Sequence, residues 1–211
     1  MSAAEATVFI VDDHGGLRKS LAFLVESAGF SAEVYASAEA FLQNYRPERR
    51  GCLILDLQMP GMSGLDLLDV LAGRGDCRPV IMVTAHGDVP TAVRALKTGA
   101  VDFVQKPFKD QELLERIRQA IIVDAEWRRW RTEAQDVLLR LASLTPRERE
   151  VFDLAVEGMT TREIAARLDS GVGSVETHRR HVLHKMQARS AVDLARLASL
   201  CRNPWGPARP G

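Results

Sequence analysis

The stretch Cys52-Leu53-Ile54-Leu55-Asp56-Leu57-Gln58-Met59-Pro60-Gly61-Met62-Ser63-Gly64 decides the fold. Four apolar residues, Cys52 to Leu55, run unbroken into a single carboxylate, Asp56, and then into the turn-forming Met59-Pro60-Gly61. A short apolar run bounded by turn residues fits a strand buried on both faces of a parallel sheet. Asp56 then stands at the carboxyl end of a central strand, where open α/β sheets carry ligands and chemistry. Taken alone, a solvated strand-end aspartate is an equal reading, because short motifs are weak.

Three further stretches end in the same way. Val8-Phe9-Ile10-Val11 runs into Asp12-Asp13, Val80-Ile81-Met82-Val83 into Thr84, and Phe103-Val104-Gln105 into Lys106-Pro107. Parallel strands bring all four polar ends to one rim. Three carboxylates in one pocket repel each other, so keeping them ionised calls for a compensating charge. A hard divalent cation with oxygen ligands and waters, Mg²⁺, supplies it. Helix signals alternate with the strands: Leu17 to Ala28 closed by Gly29, Ala38 to Tyr45 after Ser37, Leu65 to Leu71, and Asp88 to Lys97 closed by Gly99. Five strands alternating with five helices predict a doubly wound, five-stranded parallel sheet.

The acid pair, Asp56, Thr84 and Lys106-Pro107 together resemble the receiver domain of two-component response regulators, over roughly residues 5–123. The resemblance implies a flavodoxin-like fold and a division of roles. Asp56 is the phosphoacceptor that attacks a phospho-histidine on a sensor histidine kinase. Asp13, with Asp12 acting largely through water, holds Mg²⁺ together with Asp56 and the backbone carbonyl of Gln58. Lys106 pairs with the phosphoryl oxygens, and Thr84 follows the phosphate inward with Phe103 turning after it. Gln58 and His86 control access of the hydrolytic water, and the Lys106-Pro107 bond is cis. The chemistry agrees with these roles: phosphoryl transfer needs an in-line nucleophile and neutralised equatorial oxygens.

The chain has 211 residues, 46% apolar and 27% charged, enough for two ordinary domains of ~100–150 residues each. Cys52, Cys77 and Cys201 are far apart, odd in number and without a CxxC pair, which predicts a reducing, cytoplasmic compartment. No basic apolar leader and no run of ~20 apolar residues is present, so neither secretion nor a membrane span is expected. The net charge of +0 conceals an asymmetry: residues 1–123 hold 13 Lys+Arg against 16 Asp+Glu, and residues 144–211 hold 11 against 8. A basic second half suits a polyanion-binding partner to an acidic, metal-binding first half.

Past Lys109 the helical pattern continues through Leu114, Ile117, Ile121, Trp127, Trp130, Ala134, Val137, Leu141 and Leu144, with Asp124 as one weak position. One helix or two abutting ones are expected. The stripe serves equally as a dimer seam or as packing against the chain's own domains. Trp127 and Trp130, flanked by arginines, read as cover for apolar surface.

The second half opens on two capping boxes, Thr145 with Glu148 and Thr160 with Glu163. Helices follow: one carrying Val151, Leu154 and Ala155 to Gly158, one over Ile164 to Leu168, one from Ser174 to Met186, and one carrying Val192, Leu194, Leu197 and Leu200. Two short helices about a Gly-containing turn, the later one basic, form a helix-turn-helix pattern. Residues 141–200 resemble the LuxR-type DNA-binding domain, an all-α four-helix unit. Together the two halves resemble NarL/FixJ response regulators, and Ala85-His86-Gly87-Asp88-Val89-Pro90 leans toward the FixJ branch. The resemblance assigns Glu176, Thr177 and Arg180 to base edges, and Arg179, Lys185 and Arg189 to phosphates. Asp169, Ser170 and Gly171 depart from the usual turn, which implies a third helix that starts later or is held less firmly. His178, His181 and His184 spread too widely to gather a metal.

The expected organisation is therefore a receiver at 1–123, a helical linker at 124–140, a helix-turn-helix domain at 141–200 and a disordered tail at 201–211. The expected function is a phosphorylation-switched transcriptional regulator, and not an enzyme in the ordinary sense. Its expected partners are a sensor histidine kinase, double-stranded DNA, a second copy on phosphorylation, and RNA polymerase. The second copy would pair through the helix Asp88 to Lys97 with Phe103, through the Ile121 to Leu141 stripe, or near Leu194 and Leu197. Two alternatives belong to other classes. One is an aspartyl-phosphate phosphatase or transferase, which the absence of an acid at Gln58 disfavours. The other is a receiver-controlled protein-interaction module.

Overall fold

A computed structural model describes residues 6–85 and 88–202. The expectations placed on His86 and on the tail beyond Arg202 lie outside the described residues. The apolar run around Leu53 is a strand, β3 (Gly51–Asp56), buried along its whole length. It lies at the centre of a parallel sheet with β1 (Thr7–Val11), β2 (Ser31–Tyr35), β4 (Val80–Thr84) and β5 (Asp102–Gln105), in the order β2-β1-β3-β4-β5. Helices α1 (Gly15–Ser27), α2 (Ala38–Gln43), α3 (Gly64–Gly73) and α4 (Val89–Thr98) alternate with the strands.

Period-two alternation sends the strand side chains into two cores. Val8, Ile10, Ile54, Ile81 and Val83 pack with Leu21, Val25, Leu113 and Ile117 on one face. Phe9, Val11, Leu53, Leu55 and Met82 pack with Phe41, Leu67 and Leu71 on the other. Register then fixes the rim: Val11 pairs with Leu55, Asp56 with Val83, and Thr84 with Gln105. Two close approaches require glycine. A Cβ on Gly64 would lie 2.1 Å from the Asp56 carbonyl oxygen, and one on Gly51, at φ +132, would lie 1.8 Å from that of Thr7.

Helix α5 is continuous from Asp110 to Ala142, so the single-helix reading holds. The chain divides after Trp127 into two compact units. In the first, the weak position of the stripe has a partner: buried Asp124 accepts the Gly51 N–H at 3.0 Å. Trp127 is buried beside Leu71 and Val80. In the second, Val137 and Leu141 join the core of Val151, Ile164, Val175 and Leu194. Of the two readings open for the stripe, these residues follow packing against the chain's own domains. Helical spacing shows that a face is covered without showing what covers it.

The second unit adds α6 (Pro146–Val156), α7 (Thr161–Arg167), α8 (Val172–Met186) and α9 (Ala191–Arg202). Both capping boxes form. Three details refine the expectation. First, α8 begins at Val172 rather than Ser174, with Gly171 as an N-cap that makes no side-chain bond. Second, of the apolar residues that α9 carries, Val192 is 78% exposed and lies off the packed face. Third, Leu194 and Leu197 are themselves buried inside their own unit, so a second copy could meet this helix only through its exposed residues.

Candidate functional site

Strand ends assemble the acid pocket. Asp12 follows β1, Asp56 ends β3 and Thr84 ends β4; all three are buried, whereas Asp13 is exposed. Asp12, Asp13 and Asp56 each offer a carboxylate oxygen, and these oxygens lie within 4.8 Å of one another. Lys106 reaches in from the end of β5. Its Nζ lies 2.9 Å from Asp12 Oδ2 and 3.0 Å from Asp56 Oδ2, so one ammonium joins two carboxylates. The Lys106 N–H donates to the Thr84 carbonyl at 2.7 Å, which fixes the lysine's backbone to β4, and the bond from Lys106 to Pro107 is cis.

The electrostatics follow from this crowding. Burial raises the Asp56 carboxyl above its ordinary range and the Asp12 charge adds to it, while Lys106 and the Gln58 N–H pull the other way. Burial also works against the charged form of Lys106, but its bonds to Asp12 and Asp56 outweigh that and hold the ammonium above its usual range. Three clustered oxygen ligands match the donor set of a hard divalent cation. Phe103, half-buried on β5, packs against the core that contains Leu55 and Met82. Gln58 is exposed, and its N–H faces Asp56 Oδ1 at 3.4 Å.

Sequence reasoning missed two residues here. Arg18 Nη1 donates to the Asp12 carbonyl at 2.6 Å. His14 donates its backbone N–H to Asp12 Oδ1 at 2.7 Å and caps α1 by accepting the Leu17 N–H on Nδ1. An arginine one turn into the helix after the acid pair was the available signal.

In the second unit, Glu176, Thr177 and Arg180 are exposed on one face of α8, opposite buried Val175, Val182 and Met186. The side chains of Arg180 and Glu176 make no hydrogen bond among the described residues, whereas Arg179 Nη1 is tied to the Met159 carbonyl at 3.2 Å. The Lys185 ammonium pairs with buried Glu148 at 2.6 Å and donates to the Ser143 carbonyl at 3.3 Å. That bond, with the Thr145 N–H, holds the Glu148 carboxyl down at about 2. Arg189 is exposed and its backbone N–H donates to Asp193.

The unusual turn before α8 is secured from outside. Asp169 adopts the left-handed conformation that glycine favours, at φ 46. Arg147 bridges across it, donating to the Leu168 carbonyl at 2.9 Å and to the Ser170 hydroxyl. His178, His181 and His184 gather no metal-ligand set among the described residues.

Comparisons with known proteins agree with this geometry. The family model for the response regulator receiver domain matches residues 8–118, and that for bacterial regulatory proteins of the luxR family matches residues 142–198. The chain belongs to the two-component response regulators that join a receiver to a LuxR-type DNA-binding domain. Within them it is a FixJ-like transcriptional regulator of the NarL/FixJ type. It is 45% identical over 196 residues to transcriptional regulatory protein FixJ of Rhizobium meliloti, covering 91% of this chain and 94% of that one. The FixJ of Azorhizobium caulinodans is 42% identical over 193 residues, 92% of each chain. Among solved structures, the response regulator StyR aligns with a TM-score of 0.74 at 41% identity, over 93% of this chain and 99% of that one.

Proposed function

We propose that Asp56 is the phosphoacceptor, and that its phosphorylation by a sensor histidine kinase drives pairing of two chains and binding to operator DNA. The observation that carries this reading is the pair of salt bridges from Lys106 to Asp12 and Asp56 beside Asp13 and Thr84. An Asp56 carboxylate oxygen attacks phosphorus, the bond from phosphorus to the kinase histidine nitrogen breaks, and that nitrogen keeps the electron pair. Asp12, Asp13, Asp56 and the Gln58 carbonyl would hold Mg²⁺, which would supply positive charge to the phosphoryl oxygens. Lys106 moves from Asp56 to those oxygens, and Thr84 donates its hydroxyl to a third. Phe103 takes the space that Thr84 leaves.

The pairing surface is α4. Val89, Val93 and Leu96 are 77%, 43% and 45% exposed, and their spacing puts them on one stripe. One helix-turn-helix reads few base pairs, so two copies on adjacent half-sites supply specific affinity. Glu176, Thr177 and Arg180 read base edges; Arg179 and Arg189 contact phosphates. Action in the cytoplasm with RNA polymerase as recipient completes the reading, and no described helix is long and apolar enough to cross a membrane. Incubation with acetyl phosphate and Mg²⁺ tests it by intact mass and sedimentation. Phosphate on the native chain but not on Asp56→Asn, with a shift from monomer to dimer, is expected. Equal incorporation in Asp56→Asn would overturn the assignment.

A further inference from the structure

Helices α1, α2, α3, α4, α6 and α7 each open on a side chain that accepts an N–H of the first turn, and α8 does not. Gly171 stands at its N-cap and Gly173 lies in its first turn. Residues 171–174 are all exposed, so Val175 is the first side chain of the helix that enters the core. Glycine at both places leaves the backbone free to take other conformations. The far end of α8 is held twice. Arg140 Nη1 donates to the Met186 carbonyl at 3.3 Å, and Lys185 pairs with Glu148 at 2.6 Å.

One side chain from another helix grips the near end. Arg147, on the first turn of α6, donates through Nη2 to the Leu168 carbonyl at 2.9 Å and to the Ser170 hydroxyl, which itself donates to that carbonyl at 3.3 Å. Glu150 Oε2 accepts Arg147 Nη1 at 2.8 Å and so aims the guanidinium. Between the two gripped residues, Asp169 is held at φ 46, a region where a residue other than glycine persists only when its surroundings over-determine it. Base edges are read by side chains near the amino end of such a helix, and bidentate contact with a base tolerates little misplacement. We propose that Arg147 is a positioning residue for DNA reading. By fixing the chain on both sides of Asp169 it takes the place of the missing cap, sets where α8 starts, and so sets the pitch at which Glu176, Thr177 and Arg180 are presented. The proposal rests on the reading of α8 as the helix that meets the bases.

The test uses the full chain incubated with acetyl phosphate and Mg²⁺, a duplex that the native protein selects from a random pool, and an unselected duplex of equal length, at a temperature where circular dichroism shows each variant folded. Arg147→Ala should cut the preference for the selected duplex about tenfold and leave the salt dependence of binding to the unselected one unchanged. Ser170→Ala removes no charge and should cut the preference as well, and the double variant should lose no more than Arg147→Ala alone. Gly171→Ser supplies an acceptor for the Ser174 N–H where a Cβ meets nothing within 4 Å, and should restore preference to Arg147→Ala. Ser170→Ala decides the matter if Arg147→Ala does not fold. Undiminished preference in either single variant, a salt slope lowered by about 1 in Arg147→Ala, or no rescue by Gly171→Ser would overturn the proposal. Arg180→Ala separates the proposal from the reading beneath it. Loss of preference in Arg180→Ala without loss in Arg147→Ala overturns the positioning role, whereas the reverse moves the reading face and leaves that role standing.

Discussion

The carboxylate of Asp124, on the fourth turn of α5, accepts the backbone N–H of Gly51 at 3.0 Å, with both groups buried. Gly51 opens β3, the strand that Asp56 closes, and its φ of +132 beside the Thr7 carbonyl leaves no room for a side chain. Helix and strand are therefore joined at a point where the backbone donor is otherwise out of reach of water.

Asp124→Ala should leave that N–H buried and unpaired, at a cost of about 1–3 kcal/mol. Asp124→Asn, which keeps an acceptor, should cost less. Urea midpoints of the two variants check this; equal losses would mean that the bond contributes nothing.

Asp56 sets a pH dependence of the opposite sign to the usual carboxylate. Its folded pKa is raised, chiefly by burial, so the folded state binds the proton more tightly than the unfolded chain. The stability this gives is present below the ordinary aspartate range and lost as pH rises through the folded pKa. Asp56→Asn should therefore melt higher than the native chain at neutral pH, and the gap should close on acidification. A gap that widens toward low pH would contradict the raised pKa.

Lys185→Ala separates a structural from a DNA-contacting lysine. Removing the partner of Glu148 should lower stability by ~1–2 kcal/mol, discounted for the partial exposure of the lysine. At temperatures where the variant is folded, the salt dependence of DNA binding should stay unchanged. A salt slope lowered by about 1 would restore Lys185 to the phosphate contacts.

Arg180→Ala should reduce discrimination between operator and random DNA by ~1–3 kcal/mol, because an unencumbered arginine on the outer face of α8 is placed to read guanine. Equal weakening on both DNAs would move the reading face elsewhere on the helix.

Asp169→Gly should raise the stability of the helical unit by ~0.5–1 kcal/mol, since glycine adopts the left-handed conformation at φ 46 without a Cβ penalty. A loss on substitution would show that the Asp169 side chain contributes more than its backbone costs.

The parts visible in the sequence were those whose physics is local. Four strands announced themselves because a buried parallel strand must be apolar on both faces and must end in something polar. Edge strand β2, Ser31–Tyr35, gave no such run, because only part of it is covered. Capping boxes were legible since both partners lie three residues apart. Asp124 looked like a flaw in a stripe because its partner is 73 residues away, and the Glu148 partner of Lys185, 37 residues away, was equally out of sight. Val192, Leu194, Leu197 and Leu200 share one helix, and only the packing of α9 shows that Val192 lies on its uncovered side. In the acid pocket, residue types gave the members, but the way Lys106 divides itself between Asp12 and Asp56 required the geometry.

That division makes the resting pocket an ion exchanger. With its three carboxylates ionised and Lys106 protonated, the pocket carries a net charge of −2, matched by one divalent cation. Lys106 sits on oxygens of Asp12 and Asp56, two of the three carboxylates that would bind that cation. Like charges at such spacing repel, so a cation loaded there would loosen the lysine from its carboxylates. The ammonium would then be open to a new anion, which in the proposed transfer is the phosphoryl group.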